Sequence, residues 1–155
     1  MRRIFVLCFS LLLVISVQAK KMNESWSQAK TIKKNILRTK FPNTIYSILD
    51  FGAVSNDTSI LQHDAINNAI LRCSQNGGGR VIVPSGKYLT GPITLKSNVN
   101  LVLEEGAVLK FSTRKELYLP PVLTRWEGID CYNYRPLVYA YGETNVALTG
   151  KGVID

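Results

Sequence analysis

Hydrophobic residues change their spacing along this chain at three consecutive glycines, positions 77–79. Ahead of the glycines, apolar residues recur at helical spacing from Leu61 onward, and Asp57-Thr58-Ser59 offers side chains that cap a helix. The pattern predicts an amphipathic helix from Asp57 to Cys73, which the glycines end. Its apolar stripe consists of Leu61, Ala65, Ile66, Ala69, Ile70 and Cys73.

After the glycines, short runs of alternating apolar and polar residues predict β-strands separated by corners of Gly, Pro, Asn or Ser. No Asn-Gly or Asp-Gly pair joins two runs, as hairpins favour, and no helical pattern separates them, as βαβ units require. The pattern therefore predicts a solenoid whose coils hydrogen-bond to one another. The predicted strands lie at 80–83, 88–89, 93–95, 99–103, 107–111, 137–140, 145–148 and 153–155.

Two other segments flank or interrupt this pattern. Thr44 to Phe51 alternates and predicts a strand, with Ile45 and then Ile48 or Leu49 facing inward. Residues 112–136 interrupt the strands with an aromatic, proline-rich excursion. Long excursions of this kind are either functional or disordered, and the aromatic content argues against disorder.

The first 19 residues read as a secretory signal, with a short basic start, an uncharged apolar run and cleavage near Ala19. No other segment is long and apolar enough to span a membrane. We therefore expect a soluble protein that is secreted or periplasmic. Export permits a disulfide between Cys73 and Cys131, although two free thiols are equally compatible with their spacing, which matches no metal motif.

The formal net charge of +8 is concentrated near the start of the chain. Residues 20–40 contain seven Lys or Arg against one Glu, whereas residues 41–155 contain ten residues of each sign. A nucleic-acid interface needs cations on the folded surface, so a nucleic-acid partner is not expected. We interpret residues 20–43 as a basic tether, with a marginal amphipathic helix over residues 23–38.

Three stretches of the chain resemble glycoside hydrolase family 28, the polygalacturonases and related pectin hydrolases. They are FGAVSNDTSILQHDAINNAI, GGGRVIVPSGKYLTGPITLKSNVNLVLEEGAVL and NVALTGKGVID. TRWEGIDCYNYRPLVYAY, between the last two, is similar to the secreted bacterial branch. The resemblance covers residues 44–155 and corresponds to the N-terminal part of the family domain; that part also resembles the broader pectate-lyase-like superfamily.

The resemblance implies an all-β fold, a right-handed parallel β-helix with an N-terminal capping helix, here truncated. It also implies inverting hydrolysis of galacturonic-acid chains in an acidic plant polysaccharide, without a cofactor. One carboxylic acid would protonate the leaving oxygen and a second carboxylate would activate water. The signatures that the resemblance implies for catalysis, Asn-x-Asp, Asp-Asp, Gly-His-Gly and Arg-x-Lys, lie on later coils of the family. No catalytic residue is therefore assigned, and this chain alone is expected to be inactive.

Arg125, Trp126 and Glu127 are the candidate substrate-binding residues. An indole can stack on a sugar ring, and a guanidinium can pair with a galacturonate carboxylate. The alternative is that Trp126 packs the excursion onto the coils while Arg125 and Glu127 form a local ion pair. Tyr132 and Tyr134 are weaker candidates of the same kind.

Other candidate groups have structural interpretations. His63 and its neighbour Asp64 should diverge on the polar side of the helix, so His63 is expected at the solvated surface. Glu104-Glu105 is expected to be a solvated corner. The three glycines have a helix before them and a strand after them, the reverse of a phosphate-binding loop. No spacing of acidic residues suggests a metal site.

Two alternative functions stay open. One is a non-catalytic β-helix module that binds carbohydrate or a surface. The other is a pectate-lyase-type enzyme of the same superfamily, which would need calcium.

Overall fold

A computed structural model describes residues 26–155. The expected secretory signal and residues 20–25 of the basic tether lie outside the described residues. The boundary between two compact units falls between Arg38 and Thr39. In the first unit, residues 26–35 form helix α1, within the range predicted for the tether, and its apolar side chains are exposed. No helix among the described residues is long and apolar enough to cross a bilayer.

The second unit consists mainly of short strands. Its elements are β1 (Ile45–Ser47), a 3-10 helix (Ile48–Phe51), α2 (His63–Gln75), β2 (Gly79–Val83), β3 (Gly86–Thr90), β4 (Ile93–Thr94), β5 (Val99–Leu103), β6 (Ala107–Phe111), a second 3-10 helix (Lys115–Tyr118), β7 (Val122–Trp126), β8 (Ile129–Asn133), β9 (Val138–Tyr139), β10 (Ala147–Gly150) and β11 (Val153–Ile154).

The strands form three parallel sheets that run along the sides of a coil. Their orders are β1-β2-β5-β10, β3-β6-β11 and β4-β9. Each coil contributes one strand to each sheet in turn: β2, β3 and β4 form one coil, and β5, β6 and β9 form the next. The fold is a right-handed parallel β-helix, which confirms the expected fold class.

Inward-facing residues at matching positions stack from coil to coil. Val81 pairs with Leu101, and Leu101 pairs with Leu148 of the following coil. Tyr88 and Leu109 stack in the same way on the second sheet. The alternating burial of β2, β3, β5 and β6 shows why the pattern of period two predicted these strands.

Helix α2 packs on the first end of the coil stack. Its buried residues are Ala65, Ile66, Ala69, Ile70 and Cys73, as the stripe predicted, except that Leu61 precedes the helix. The predicted start at Asp57 was wrong. The Asp57 carboxylate instead accepts hydrogen bonds from the backbone amide and hydroxyl of Ser59, which closes a local turn. Cys73 and Cys131 are both free thiols.

The strand predicted over Thr44 to Phe51 is shorter than expected. The hydroxyl of Ser47 accepts a hydrogen bond from the amide of Leu49, and this cap turns the chain into the 3-10 helix. Ile48 is buried as predicted, whereas Ile45 is exposed and Tyr46 packs partly on the core instead. The inward face was therefore assigned one residue out of register at the start of this strand.

The excursion between β6 and β9 contains an antiparallel hairpin, β7-β8. No Asn-Gly or Asp-Gly pair stands at its turn, and the sequence analysis did not predict it. Its two-residue turn is Glu127-Gly128, with φ of 48° and 87°. Positive φ at both positions is the geometry of a type I′ hairpin turn, in which Gly128 fits without strain and Glu127 takes the position that Asn or Asp usually fills.

Candidate functional site

A cleft lies between the hairpin and the chain that follows it. Its volume is about 510 Å³, within the range of roughly 300–1,000 Å³ typical of small-molecule sites. Residues 122–126 of β7 border it consecutively, whereas β8 contributes only Asn133. The cleft therefore follows the edge of β7 that faces away from β8, and side chains from both faces of β7 border it.

The opposite wall of the cleft is aromatic. Tyr139 and Tyr141 project from alternate positions, and their rings stack with centroids 6.5 Å apart and planes 2° from parallel. Tyr134 also borders the cleft. The Tyr141 side chain is 74% exposed, so its ring offers an open face to a ligand. Flat, exposed aromatic faces with polar tips are suited to sugar rings.

The structure separates the three residues that the sequence grouped as a candidate site. Arg125 pairs across the hairpin with Asp130, and Trp126 pairs with Ile129. Successive strand residues point to opposite faces, so Arg125 and Trp126 flank the cleft from its two sides. Glu127 sits in the turn and is not among the residues that border the cleft.

Arg125 makes a loose ion pair, and the partner differs from the one considered in the alternative interpretation. Its Nη1 lies 3.6 Å from Oδ1 of Asp130, with both side chains mostly in solvent. Trp126 is 66% exposed, so its ring does not serve mainly to pack the hairpin onto the coils. Exposed pairs of this kind contribute little to stability, which leaves the guanidinium free to exchange partners.

His63 does not lie at the solvated surface, as the sequence analysis expected. Its side chain is 21% exposed, and its Nδ1 is buried without a hydrogen-bond partner. The ring packs over Gly91 at the corner between β3 and β4, because the absent side chain of the glycine leaves room for it. Its Nε2 lies 3.8 Å from the Asp64 carboxylate, which is highly exposed.

The remaining sequence candidates have structural roles. Glu104 and Glu105 are exposed at the corner between β5 and β6, and Glu105 approaches Lys151 at 3.3 Å. The glycines at 77–79 form the exit from α2, where the Gly78 amide donates to the Cys73 carbonyl. Among residues 26–155, no three His, Cys, Asp or Glu side chains are grouped closely enough to hold a metal ion.

Glu143 is the one strongly perturbed carboxylate that the structure describes, and sequence reasoning missed it. Its carboxylate accepts hydrogen bonds from the hydroxyl and amide of Ser97, at 2.6 and 2.8 Å, and from Lys96 Nζ at 3.0 Å. The Ser97 hydroxyl, then Lys96, lower the pKa of Glu143 from 4.5 to about 2. These bonds join the corner after β4 to the corner after β9, so they fasten one coil to the next. The sequence gives no sign of this role, because the residues that Glu143 contacts are 46 and 47 positions away along the chain.

Replacing Glu143 with Gln should make folding stability less dependent on acid pH. Because the folded-state pKa is depressed, the carboxylate stabilises the fold above pH 4.5, and this contribution is lost as pH falls towards 2. Because solvent screens part of these interactions, we expect the charge to contribute about 1–2 kcal/mol at neutral pH. Urea unfolding of wild type and Glu143→Gln between pH 2 and 7 should give curves that converge at the acid end.

Glu105→Gln is the matched control for this experiment. Its ion pair with Lys151 is exposed on both sides, so removing the charge should change stability by less than about 0.5 kcal/mol at any of these pH values. A Glu143 variant that follows wild type across the whole pH range would contradict the assigned role.

No coil among the described residues carries one of the family's catalytic signatures. Asn-x-Asp, Asp-Asp and Gly-His-Gly do not occur in the chain. The spelling Arg-x-Lys occurs at Arg38-Thr39-Lys40, which precedes the first strand. The cleft is therefore a candidate binding site that carries no acid–base pair.

Comparisons with known proteins agree with the fold and with the resemblance seen in the sequence. A probable polygalacturonase of Vitis vinifera is 33% identical over 117 residues, which cover 70% of this chain and 24% of that protein. The crystal structure of a hyperthermoactive exopolygalacturonase from Thermotoga maritima matches with a TM-score of 0.76 and 45% identity, covering 81% of this chain and 28% of that one. A family 28 exopolygalacturonase from Yersinia enterocolitica matches with a TM-score of 0.63 and 32% identity, covering 74% of this chain and 21% of that one.

One relative is not named as a polygalacturonase. The plasmin and fibronectin-binding protein A of Streptococcus pneumoniae is 35% identical over 99 residues, which cover 61% of this chain and 13% of that protein. No family model matches the chain. The chain thus spans less than a third of the length of each of these proteins.

Proposed function

Because this chain is related in sequence and fold to the family 28 polygalacturonases, we propose that it forms the first coils of a longer hydrolase that cleaves galacturonic-acid-containing polysaccharide. The observation that carries the proposal is the match to the Thermotoga maritima exopolygalacturonase, with 45% identity over 81% of the chain. In this proposal, the aromatic excursion and the cleft beside it contact the substrate.

The proposed chemistry is inverting hydrolysis. A carboxylic acid protonates the glycosidic oxygen while a carboxylate on the other side of the sugar activates water, and the two groups are roughly 6.5–9.5 Å apart to admit that water. In our proposal both groups belong to coils that stack on β10 and β11, whose outer residues Leu148 and Ile154 are exposed at the sheet edges. The coils described here then supply the capped end of the solenoid and the cleft.

We also propose that the protein is exported. The support is the basic start, the apolar run and the cleavage pattern ending at Ala19 in the sequence. Mass spectrometry of the protein made in a host that exports it would give the mature N-terminus, and we expect Lys20 there. Retention of Met1 or of the apolar run would contradict export.

Activity is tested on the longer protein encoded by the source gene. Purified protein is incubated with polygalacturonate, once with calcium added and once with calcium chelated, and reducing ends are measured together with ultraviolet absorbance. We expect reducing ends without ultraviolet absorbance, and NMR of the first products should show the inverted anomer. Products that absorb ultraviolet light and form only with calcium would contradict the hydrolase proposal and support the lyase alternative.

A second candidate function is a non-catalytic adhesion module, because the fibronectin-binding relative shares 35% identity over 99 residues. In this case, the longer protein would bind immobilised fibronectin or plasmin and release no reducing ends from any pectin. Measuring the two activities on one preparation separates the candidates, since the hydrolase proposal requires sugar release and the adhesion proposal does not.

A further inference from the structure

A second cleft lies beside the end of β6 and the second 3-10 helix, and its volume is about 510 Å³. Residues 134–137 separate it from the first cleft, because Tyr134 and Pro136 border both. No residue of β7, β8 or β9 borders the second cleft, so it lies apart from Arg125, Trp126 and the stacked tyrosine rings. It is therefore a separate candidate site.

The walls of the second cleft are largely apolar, and hydrogen bonds within the fold hold them in place. Phe111 and Tyr118 are buried, whereas Leu137 is exposed at the rim. The Tyr118 hydroxyl donates to the Ser112 carbonyl at 2.7 Å, and the Arg135 amide donates to the Tyr118 carbonyl at 3.0 Å. These bonds join the 3-10 helix to both stretches of chain beside it, so the cleft exists before a ligand binds. Apolar and aromatic walls with few polar groups are typical of sites for small organic molecules.

Two unpaired cations border this cleft. The side chains of Arg135 and Lys115 form no hydrogen bond or ion pair with any of residues 26–155. Arg135 is half-buried and only its Nε is closed off from solvent, so the terminal nitrogens of the guanidinium are accessible to a ligand. Asp155 is the one acidic residue among the described residues at this cleft, and it pairs with neither cation. A half-buried guanidinium beside apolar surface attracts an anion strongly, because little water screens the charge.

We propose that the second cleft binds a small aromatic carboxylate. The aromatic ring lies against Phe111, Tyr134 and Leu137, and the carboxylate pairs with the Arg135 guanidinium. A sugar acid does not fit this chemistry, because the apolar walls would leave most of its hydroxyls without hydrogen-bond partners. The inference goes beyond the proposed function, which concerns the first cleft and the later coils.

Two probes of nearly the same shape separate charge from apolar contact. 2-Naphthoate is titrated against this chain by calorimetry, with 2-naphthamide as the neutral ligand. We expect one naphthoate to bind per chain, at least about tenfold more tightly than naphthamide, because only the acid pairs with Arg135. Raising the salt concentration should weaken naphthoate binding and leave naphthamide binding unchanged. Galacturonate in excess should not displace naphthoate.

Variants then identify the residues responsible. Arg135→Met should bring naphthoate down to the affinity of naphthamide, and Arg135→Lys should restore part of the difference, because lysine keeps the charge but not the planar fork. Leu137→Ala should weaken both probes by the same factor of about three, since it removes apolar contact that both share. Arg114→Met is the matched control, because Arg114 is exposed and does not border the cleft, and it should bind both probes as the parent does.

The inference fails if the two probes bind equally, if Arg135→Met binds naphthoate as tightly as the parent, or if galacturonate displaces naphthoate. Circular dichroism establishes that each variant is folded, and the salt titration of the unsubstituted chain decides if Arg135→Met does not fold. The titration is repeated on the longer protein, where loss of naphthoate binding would mean that later coils occlude the cleft and would also overturn the inference. Polygalacturonate hydrolysis is measured separately, so either proposal can fail while the other stands.

Discussion

Replacing Leu101 with alanine is expected to lower the free energy of unfolding by about 2–5 kcal/mol. Leu101 is fully buried in β5, between Val81 on one coil and Leu148 on the next. Truncation removes its contacts with both neighbouring coils and leaves a cavity that the regular spacing of the strands cannot close. Urea unfolding followed by far-ultraviolet circular dichroism gives the difference.

The matched control is Val102→Ala, one position along the same strand. Val102 is only half-buried and points away from the interior, between Ile82 and Thr149 in register. Its truncation should cost about 1 kcal/mol or less, the span of strand propensity. Similar losses for the two variants would mean that Leu101 does not lie inside a packed coil stack, and the register of the β-helix would be wrong.

Replacing Gly78 with alanine is expected to be nearly as damaging, for a different reason. Gly78 has a φ of 100°, which is strained for alanine, and a Cβ there would collide with the backbone carbonyl and side chain of Asn98. Left-handed backbone costs about 1–2 kcal/mol, and the collision adds about 1–3 kcal/mol because the Asn98 backbone must move. Thermal unfolding of the variant should show the combined loss.

Gly77 provides the control that separates strain from collision. Its φ of 92° nearly equals that of Gly78, but nothing lies within 4 Å of a Cβ at that position. Gly77→Ala should therefore lose only the stability that the backbone strain costs. If Gly77→Ala and Gly78→Ala destabilise the chain equally, the close approach of the α2 exit to the next corner does not exist in solution.

The coils could be predicted from the sequence because each buried strand residue faces the same interior. Val81, Val99 and Leu101 obey the alternation without exception, and their strands are found where the pattern placed them. At two places, local side-chain hydrogen bonds gave a secondary structure that the hydrophobic pattern did not predict. The side chain of Ser47 turned a predicted strand into a 3-10 helix, and that of Asp57 closed a turn where a helix was expected to begin.

The site was harder to predict, because it depends on pairs that are distant in the chain. Arg125 and Trp126 were found from residue type alone, and both border the cleft. The opposite wall was missed, since Tyr139 falls in a predicted strand, Tyr141 follows that strand, and the hairpin beside them was not predicted. The Glu127-Gly128 turn was the available signal, because a glycine after a polar residue between two alternating runs indicates a hairpin.

The central claim is that these coils begin a longer family 28 hydrolase whose acid and base lie on later coils. The nucleotide sequence of the source gene beyond codon 155 tests it most directly. We expect the reading frame to continue through further short strands into Asn-x-Asp, Asp-Asp, Gly-His-Gly and Arg-x-Lys sequences. A stop codon directly after Asp155, or a continuation with no paired carboxylates, would contradict the claim and leave a binding module as the better account.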